Sequence, residues 1–404
     1  MNPYLPRLDL SDPGFSTRSD EMKAARAAHW CARTPYGLAV LRYREVGLLL
    51  RDRRLRQGSH AWPDRNGLEG PFAEFWKRSV ISREGPDHRA LRDLCVPVLS
   101  EAFVAGLVPT FDRIADDLCA GLAARRGCEF QEDFAIPFAG QAICALLGIE
   151  TAAWRSISHD ASDLGLAMGV ECKQHEPVFN AACVRLTALA AELVDRARRG
   201  EDRTSYIAGL VARFDGSGLD EVDLLDLIVI SIFGGVDTTR SQLGLGLSLF
   251  MDRPAQWDAL RRDPSLAANA VEEIIRARPT TTWVTREAVE GFEFGGVEIA
   301  QGTTLHMLVH ASSRDPAICD VPEFDITQRR KKHFGFGGGA HHCIGHLVAR
   351  TDIACALRAL AWTFETIEPD GEAEWLPDSG NTSAVRLPIK YRVAAEAQTS
   401  SSIA

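Results

Sequence analysis

A mainly α fold, with small peripheral β-sheets and a long buried central helix, is what this sequence of 404 residues predicts. Three observations carry the reading. Most of the chain repeats apolar side chains at three- and four-residue spacing, the period of one helix face. One segment, 219–250, is apolar on nearly every side, and such a helix belongs in the middle of a protein. Strand-like runs are short and gather at 36–43, 292–309 and 383–393.

Taken in order, 36–43 reads as a short strand despite few β-branched residues, and it leads into a short helix over 45–55. From 87 to 124, Leu91, Leu94, Val98, Phe103, Leu107, Phe111, Ile114 and Leu118 fall at helical spacing. Breaks are expected near Pro97 and Pro109, because proline lacks the N–H and crowds the preceding turn. Helical patterns continue over 138–147, 152–168, 180–199 and 206–214. The central segment, with Asp220 placed to cap it, runs about 30 residues. A helix pair is expected over 258–278. Then 292–294, 297–299 and 304–309 read as strands turned by Gly295-Gly296 and Gly302. Helix returns after Cys343 to about Thr363, 383–393 reads as a strand or hairpin, and 394–404 as a disordered tail. No repeat, low-complexity tract or linker divides the chain, so 1–404 is read as one domain.

Composition bounds the partners. Hydrophobic residues at 46% and charged residues at 25% describe a globular protein with a large core. Against 45 basic residues stand 55 acidic ones, and a net charge of −10 argues against nucleic acid as a bulk partner. Residues 1–15 carry Arg7, Asp9 and Asp12 and lack the apolar run of a signal peptide. The most apolar stretch, 227–236, falls far short of the roughly 18–20 residues that span a bilayer. The expectation is a soluble, cytoplasmic protein with no membrane partner. Ten cysteines stand without a CxxC or a paired framework. Nine of them read as small buried hydrophobes.

Cys343 is different. It lies in Phe334-Gly-Phe-Gly-Gly-Gly-Ala-His-His-Cys-Ile-Gly-His346, where glycines at 335, 337, 338 and 339 let the backbone bend and approach a flat group closely. An apolar helical run follows, so the thiol sees a helix N-terminus that favours thiolate. His341, His342, Cys343 and His346 could form a small zinc or copper site, although adjacent histidines diverge and no second pair closes a tetrahedron. Alternatively one axial thiolate holds haem iron. A glycine-rich turn around a buried cysteine is the third possibility. In the central helix, Gly234-Gly235-Val236-Asp237-Thr238-Thr239 puts two glycines, each costing about 1 kcal/mol against alanine, beside an acid and two hydroxyls. Either something lies against the bare backbone, or the threonine bonds back to its own helix carbonyl.

Phe336-Gly-x-Gly-x-His341-x-Cys343-x-Gly345, followed by Ala349-Arg350, resembles the haem-binding signature of the cytochrome P-450 superfamily. Three further motifs stand in the family's order, covering about residues 84–350, and the soluble bacterial branch is the nearest in kind. The resemblance implies haem b (iron protoporphyrin IX) on Cys343, with Phe336 and Gly345 framing it, and Asp237 with Thr238 as the acid–alcohol pair delivering protons to dioxygen. Glu273-x-x-Arg276, on its own an ordinary i,i+3 ion pair, becomes the family's buried structural pair. Its usual third arginine is offset: Gln328 occupies the expected position, with Arg329 beside it. His88 and Arg92, one turn apart, with Arg286 and His341, match the family's propionate-binding positions.

The resemblance further implies an O₂-dependent monooxygenase of secondary metabolism, hydroxylating or epoxidising a small, largely apolar substrate. Ring closure or oxidative coupling, and a non-catalytic haem-binding or gas-sensing protein, are the rival readings. Electrons from NAD(P)H would come through a ferredoxin or flavodoxin with its reductase, steered to Arg329-Arg-Lys-Lys332. Residues 59–83 resemble the family's variable pocket-covering segment, so Phe72, Phe75 and Trp76 are pocket candidates, although their i, i+3, i+4 spacing equally describes a core-facing stripe. Gly234, Thr281 and Val284 complete the pocket candidates. The hydroxyls of Thr280, Thr281 and Thr282 hint at a substrate with polar groups, and 166–178 is placed in the roof.

Overall fold

The structure, a computed structural model, describes residues 5–12, 14–169, 171–319, 323–378 and 380–395. Among the described residues the helices are α1 (Asp20–Ala28), α2 (Tyr43–Leu49), α3 (Trp62–Arg65), α4 (Pro71–Arg78), α5 (Gly85–Cys95), α6 (Glu101–Ala123), α7 (Ile136–Leu147), α8 (Trp154–Gly165), α9 (Glu176–Arg198), α10 (Tyr206–Phe214), α11 (Glu221–Asp252), α12 (Pro254–Arg262), α13 (Ala267–Ala277), α14 (Val309–Ser312) and α15 (His346–Thr363). The strands are β1 (Cys31–Thr34), β2 (Gly37–Val40), β3 (Leu55–Gln57), β4 (Gly127–Glu129), β5 (Val284–Ala288), β6 (Phe292–Phe294), β7 (Val297–Ile299), β8 (Thr304–Met307), β9 (Phe364–Pro369), β10 (Glu374–Trp375), β11 (Ala384–Arg386) and β12 (Pro388–Val393). The mainly α reading holds.

The chain forms two compact units. The first comprises Met1–Ser59, Gly244–Cys343 and Gly371–Leu387. It contains a five-stranded sheet in the order β1-β2-β8-β5-β3, with β2 and β8 parallel and the other pairs antiparallel. Val40, Leu305 and Met307 bury one face of it with Val46 and Leu49 of α2. The β6–β7 hairpin turns through Gly295 and Gly296, both at positive φ. Residues 383–393 do not form a hairpin: β11 pairs with β10, and β12 belongs to the other unit.

The second unit comprises His60–Leu243, Ile344–Asp370 and Pro388–Ala404. Its core packs α4 to α10 around α11, where Leu227, Ile228 and Val229 are buried at consecutive positions that face different sides of the helix. The start of α11 carries a half capping box: the Asp220 N–H donates to Asp223 Oδ2 at 3.3 Å. Arg83 ion-pairs with Asp223 at 2.6 Å, and Arg78 with Asp226 at 2.9 Å, which ties the segment before α5 to the same helix start.

Three expectations are corrected. The helix α6 runs straight through Pro109, because Pro109 and Ala105, whose carbonyl loses its donor, both face solvent. Ala394 is not tail: it is buried and its N–H donates to the Thr363 carbonyl at 2.9 Å. The rest of the expected tail, 396–404, lies outside the described residues. Finally, Cys172–Arg198 is long and apolar enough to cross a membrane, a longer such stretch than 227–236. Its Phe179, Ala182, Cys183, Leu186, Ala190, Leu193 and Val194 form a buried stripe facing the core of this unit, the pattern of an amphipathic core helix.

Candidate active site

The loop that ends at Cys343 is shaped by packing within the first unit. Gly337 N–H donates to the Phe334 carbonyl at 2.8 Å, and Cys343 N–H to the Phe336 carbonyl at 2.9 Å, so the loop folds back on itself. Gly337 and Gly339 take positive φ. A Cβ on Gly339 would stand 2.1 Å from the Leu50 carbonyl oxygen, and one on Gly335 would stand 2.3 Å from Ile275 Cγ2. These glycines are demanded by the protein itself. Gly345 is not: nothing lies within 4 Å of where its Cβ would be.

Cys343 is the one exposed cysteine; the other nine are buried. Burial pushes the Cys95 thiol up to about 11 and that of Cys144 to about 12, so they behave as hydrophobes. Among the described residues, the one group of three or more His, Cys, Asp or Glu with converging ligand atoms is His159, Asp160 and Asp163. Arg185 already bridges those two aspartates. A small metal centre built on His341, His342, Cys343 and His346 therefore gains no support.

The helix α13 acts as a template behind the loop. Glu273 and Arg276, both buried, form a two-point ion pair at 2.6 and 2.8 Å. Glu273 Oε1 also accepts the Asp325 N–H at 3.0 Å, and Arg276 donates to the Glu323 carbonyl at 3.2 Å. The third cation is Arg330, whose Nη2 stands 3.4 Å from Glu273 Oε1 and 3.0 Å from the Glu323 carbonyl. Neither Gln328 nor Arg329 has that place. The chain between Glu323 and Arg330 folds back on α13, and that path decides which side chain reaches the carboxylate. Asn269, bonded to the Gln328 carbonyl at 2.9 Å, and Glu272, 3.3 Å from His333 Nε2, complete the attachment. Arg286, buried on β5, donates to Gln57 at 3.2 Å and to the Gly338 carbonyl at 3.5 Å, which joins the sheet to the cysteine loop.

In the second unit the central helix presents Gly234 to open space, with nothing within 4 Å of its missing Cβ. Thr238 Oγ1 donates to the Gly234 carbonyl at 2.6 Å, the back-bonded state. Asp237 pairs with Arg240 at i+3, with Nε at 3.1 Å. Arg240 carried no weight in the sequence reading, yet Arg three residues after the acid is an i,i+3 signal that could have found it. His88 is buried on α5, with Arg92 a turn later on the same helix. Half-exposed residues run from Ile344 to Thr351 at the start of α15, before Asp352 to Leu357 are buried in the stretch of the helix that packs on α6.

The other pocket candidates fall into packing roles. Phe72, Phe75 and Trp76 are buried on α4; Phe72 stacks on Trp76 at 5.6 Å and meets Phe179 of α9 edge-on at 5.0 Å. The threonine hydroxyls are spent within the first unit: Thr280 donates to the Thr382 carbonyl at 2.8 Å, Thr282 to the Gly380 carbonyl at 3.0 Å, and Thr281 to Asn381 Oδ1 at 3.1 Å. They clasp two segments of chain, and the hint of a polar substrate loses its basis. Val284 opens β5, half-buried opposite Met307.

A helical fold with a long central helix, and one exposed thiol in a glycine-rich loop held by a buried Glu–Arg pair, define the haem-thiolate class. The family model for cytochrome P450 matches residues 172–395. Luteothin monooxygenase of Streptomyces thioluteus is 34% identical over 96% of this chain and 97% of that protein. Mycinamicin IV hydroxylase/epoxidase of Micromonospora griseorubida is 29% identical over 89% of this chain and 91% of its own length. The crystal structure of CalO2 superposes with a TM-score of 0.86 at 26% identity, covering 93% of this chain and 97% of that one. The chain belongs to the cytochrome P450 family. It is a haem-dependent monooxygenase of the kind used in bacterial secondary metabolism, taking a small-molecule substrate, O₂ and electrons from a redox partner.

The residues present fit iron protoporphyrin IX. The thiol that would ligate iron is exposed, while Gly234 and Gly345 leave bare backbone beside space that no protein atom fills.

Proposed function

We propose that this chain acts as one catalytic domain that inserts an oxygen atom from O₂ into a small, largely apolar, polyketide-type molecule, by hydroxylation or epoxidation, in the cytoplasm. The observation that carries the reading is the exposed Cys343 thiol at the end of a loop templated by α13. Cys343 would hold the haem iron, Phe336 and Gly345 would flank the macrocycle, and His88, Arg92, Arg286 and His341 would hold the propionates through charge-assisted hydrogen bonds. The bound haem supplies activation of O₂. The chain's own work is to position and to move protons. Asp237, paired with Arg240, would take a proton from solvent and pass it to Thr238 Oγ1 once that hydroxyl turns from the Gly234 carbonyl. Gly234 leaves room for substrate against α11. The names of the relatives, which include 20-oxo-5-O-mycaminosyltylactone 23-monooxygenase, support a polyketide-type substrate.

Electrons would arrive from a ferredoxin or flavodoxin at Arg329, Lys331 and Lys332, which are exposed, whereas Arg330 is engaged with Glu273. Reversing Lys331 and Lys332 to Glu should slow partner-driven reduction; an unchanged rate removes this docking surface. A second reading, bond formation without oxygen insertion, is favoured by one solved relative described as forming a C–S bond, at 26% identity and a TM-score of 0.80. Titrating the haem spin state with free aromatics, polyketides and carrier-bound thioesters tests the substrate class, and product analysis separates insertion from coupling. A protein with no haem-thiolate spectrum would overturn the assignment of Cys343, and absent turnover with every ferredoxin would favour a gas sensor.

A further inference from the structure

His333 lies between the basic segment 329–332 and the cysteine loop, and it is buried. Gly335 N–H, which can only donate, reaches its Nδ1 at 3.0 Å. An accepting nitrogen carries no proton, so the ring's one N–H sits on Nε2. Nε2 has no aligned hydrogen-bond partner among the described residues; it stands 3.3 Å from Glu272 Oε2 on α13. A carboxylate beside that edge of the ring favours the proton there. Two partners on different segments thus select one tautomer and one ring orientation.

The ring holds the start of the cysteine loop. A Cβ on Gly335 would stand 3.2 Å from His333 Nδ1 and 2.3 Å from Ile275 Cγ2, so the backbone is wedged between the ring and α13. The Phe336 side chain lies against the same ring, with centroids 5.8 Å apart. Phe336 in turn offers the carbonyl that accepts Cys343 N–H at 2.9 Å. A run of contacts therefore leads from Glu272, whose side chain is half-exposed, to the backbone of the residue that carries the thiol. Glu273, Arg276 and Asn269 already attach 323–328 to α13, which leaves Glu272 and His333 to set the loop beyond it.

We propose that Glu272 and His333 are positioning residues for the thiolate: the fixed Nε2–H tautomer of His333 sets Gly335 and Phe336, and through them the direction in which Cys343 presents its sulfur. The inference rests on the haem-thiolate assignment of Cys343. Groups that orient a metal's ligand tune the metal it holds, and losing one typically costs about 10–100-fold in affinity or activity. Without the acceptor at 333, the Gly335 N–H also loses its partner, and the start of the loop is freed to move.

The test uses the haem-loaded protein with His333→Leu, His333→Asn and Glu272→Gln. Leucine keeps bulk and removes the acceptor, whereas the asparagine carbonyl oxygen can take the place of Nδ1. In nitrogen NMR spectra of the reduced, CO-bound protein, a histidine held as the Nε2–H tautomer should be present, and its signals should vanish in His333→Leu. His333→Leu should shift the haem reduction potential and convert several-fold more of the CO complex to a form without the thiolate signature. His333→Asn should return both to native values, and Glu272→Gln should shift them less than His333→Leu, in the same direction. Native potential and native thiolate fraction in a folded His333→Leu, no rescue by His333→Asn, or an Nδ1–H tautomer at His333 overturns the proposal. Native values in Glu272→Gln remove Glu272 from it, and overturn it if His333→Leu does not fold. A native chain without a haem-thiolate spectrum would instead overturn the assignment of Cys343, and the nitrogen spectra still decide the tautomer of His333.

Discussion

Replacing Arg330 with alanine should destabilise this protein, while the same change at Arg329 should not. Glu273 is 1% exposed and accepts from Arg276 at two points, from the Asp325 N–H and from Arg330. Removing Arg330 leaves the Glu273–Arg276 pair neutral, so the loss is smaller than the ~3–5 kcal/mol of breaking a buried pair outright. At an effective dielectric of about 20, unit charges 3.4 Å apart attract by roughly 5 kcal/mol. Desolvation of the guanidinium offsets much of that, and about 1–3 kcal/mol remains. At ~2.1 cal/mol/K per residue, 404 residues carry an unfolding entropy of about 0.85 kcal/mol/K, so Tm should fall by about 1–4 °C. Arg329 is exposed, and its alanine variant should melt within about 0.5 °C of native, the usual scale of a surface substitution. Calorimetry of the two variants side by side decides the matter. Equal shifts, or a larger one for Arg329→Ala, would refute the assignment of the third cation.

The cysteine loop makes opposite demands at two glycines. Gly339→Ala would force a side chain into a positive φ and against the Leu50 carbonyl, and should cost about 2–4 kcal/mol, read by thermal melting. Gly345→Ala meets no protein atom, so its circular dichroism should match native while haem content falls; full haem loading would show that the macrocycle does not lie there. Asp352 sets a pH dependence. Its folded-state carboxyl titrates above its unfolded one, so between those two values the native state binds the extra proton and stability falls as pH rises, by about 1.4 kcal/mol per pH unit. Asp352→Asn lacks that slope, so as pH rises past the ordinary carboxylate range the native protein should lose Tm relative to the variant; a constant gap would mean no such shift. Cys343→Ser should abolish the thiolate signature of the reduced, CO-bound haem, and retention of that signature would place the ligand elsewhere.

Much of this was open to a reader of the sequence, for local reasons. The cysteine loop is recognisable because glycines at 335 and 339 are required by the chain's own close approach to Ile275 and Leu50, and Gly337 by its positive φ. The central helix is recognisable because apolar side chains on all its faces leave it only an interior place. Helix faces and the short strands β6 and β7 follow from period and turn chemistry in the same way.

Other features depend on which distant segments meet, and pattern does not encode that. Arg330 reaches Glu273 through the path of the intervening loop, which motif spacing misplaced by one or two residues. Thr280, Thr281 and Thr282 looked available for substrate until 380–382 came alongside and used their hydroxyls. Asp352 reads in sequence as an ordinary polar residue of a helix, and becomes a proton-holding group only because α11 and α15 enclose it. Local covalent geometry and periodicity determine what each segment can be; burial and partnership, which set the charge state and the function of a polar group, exist only once the segments pack.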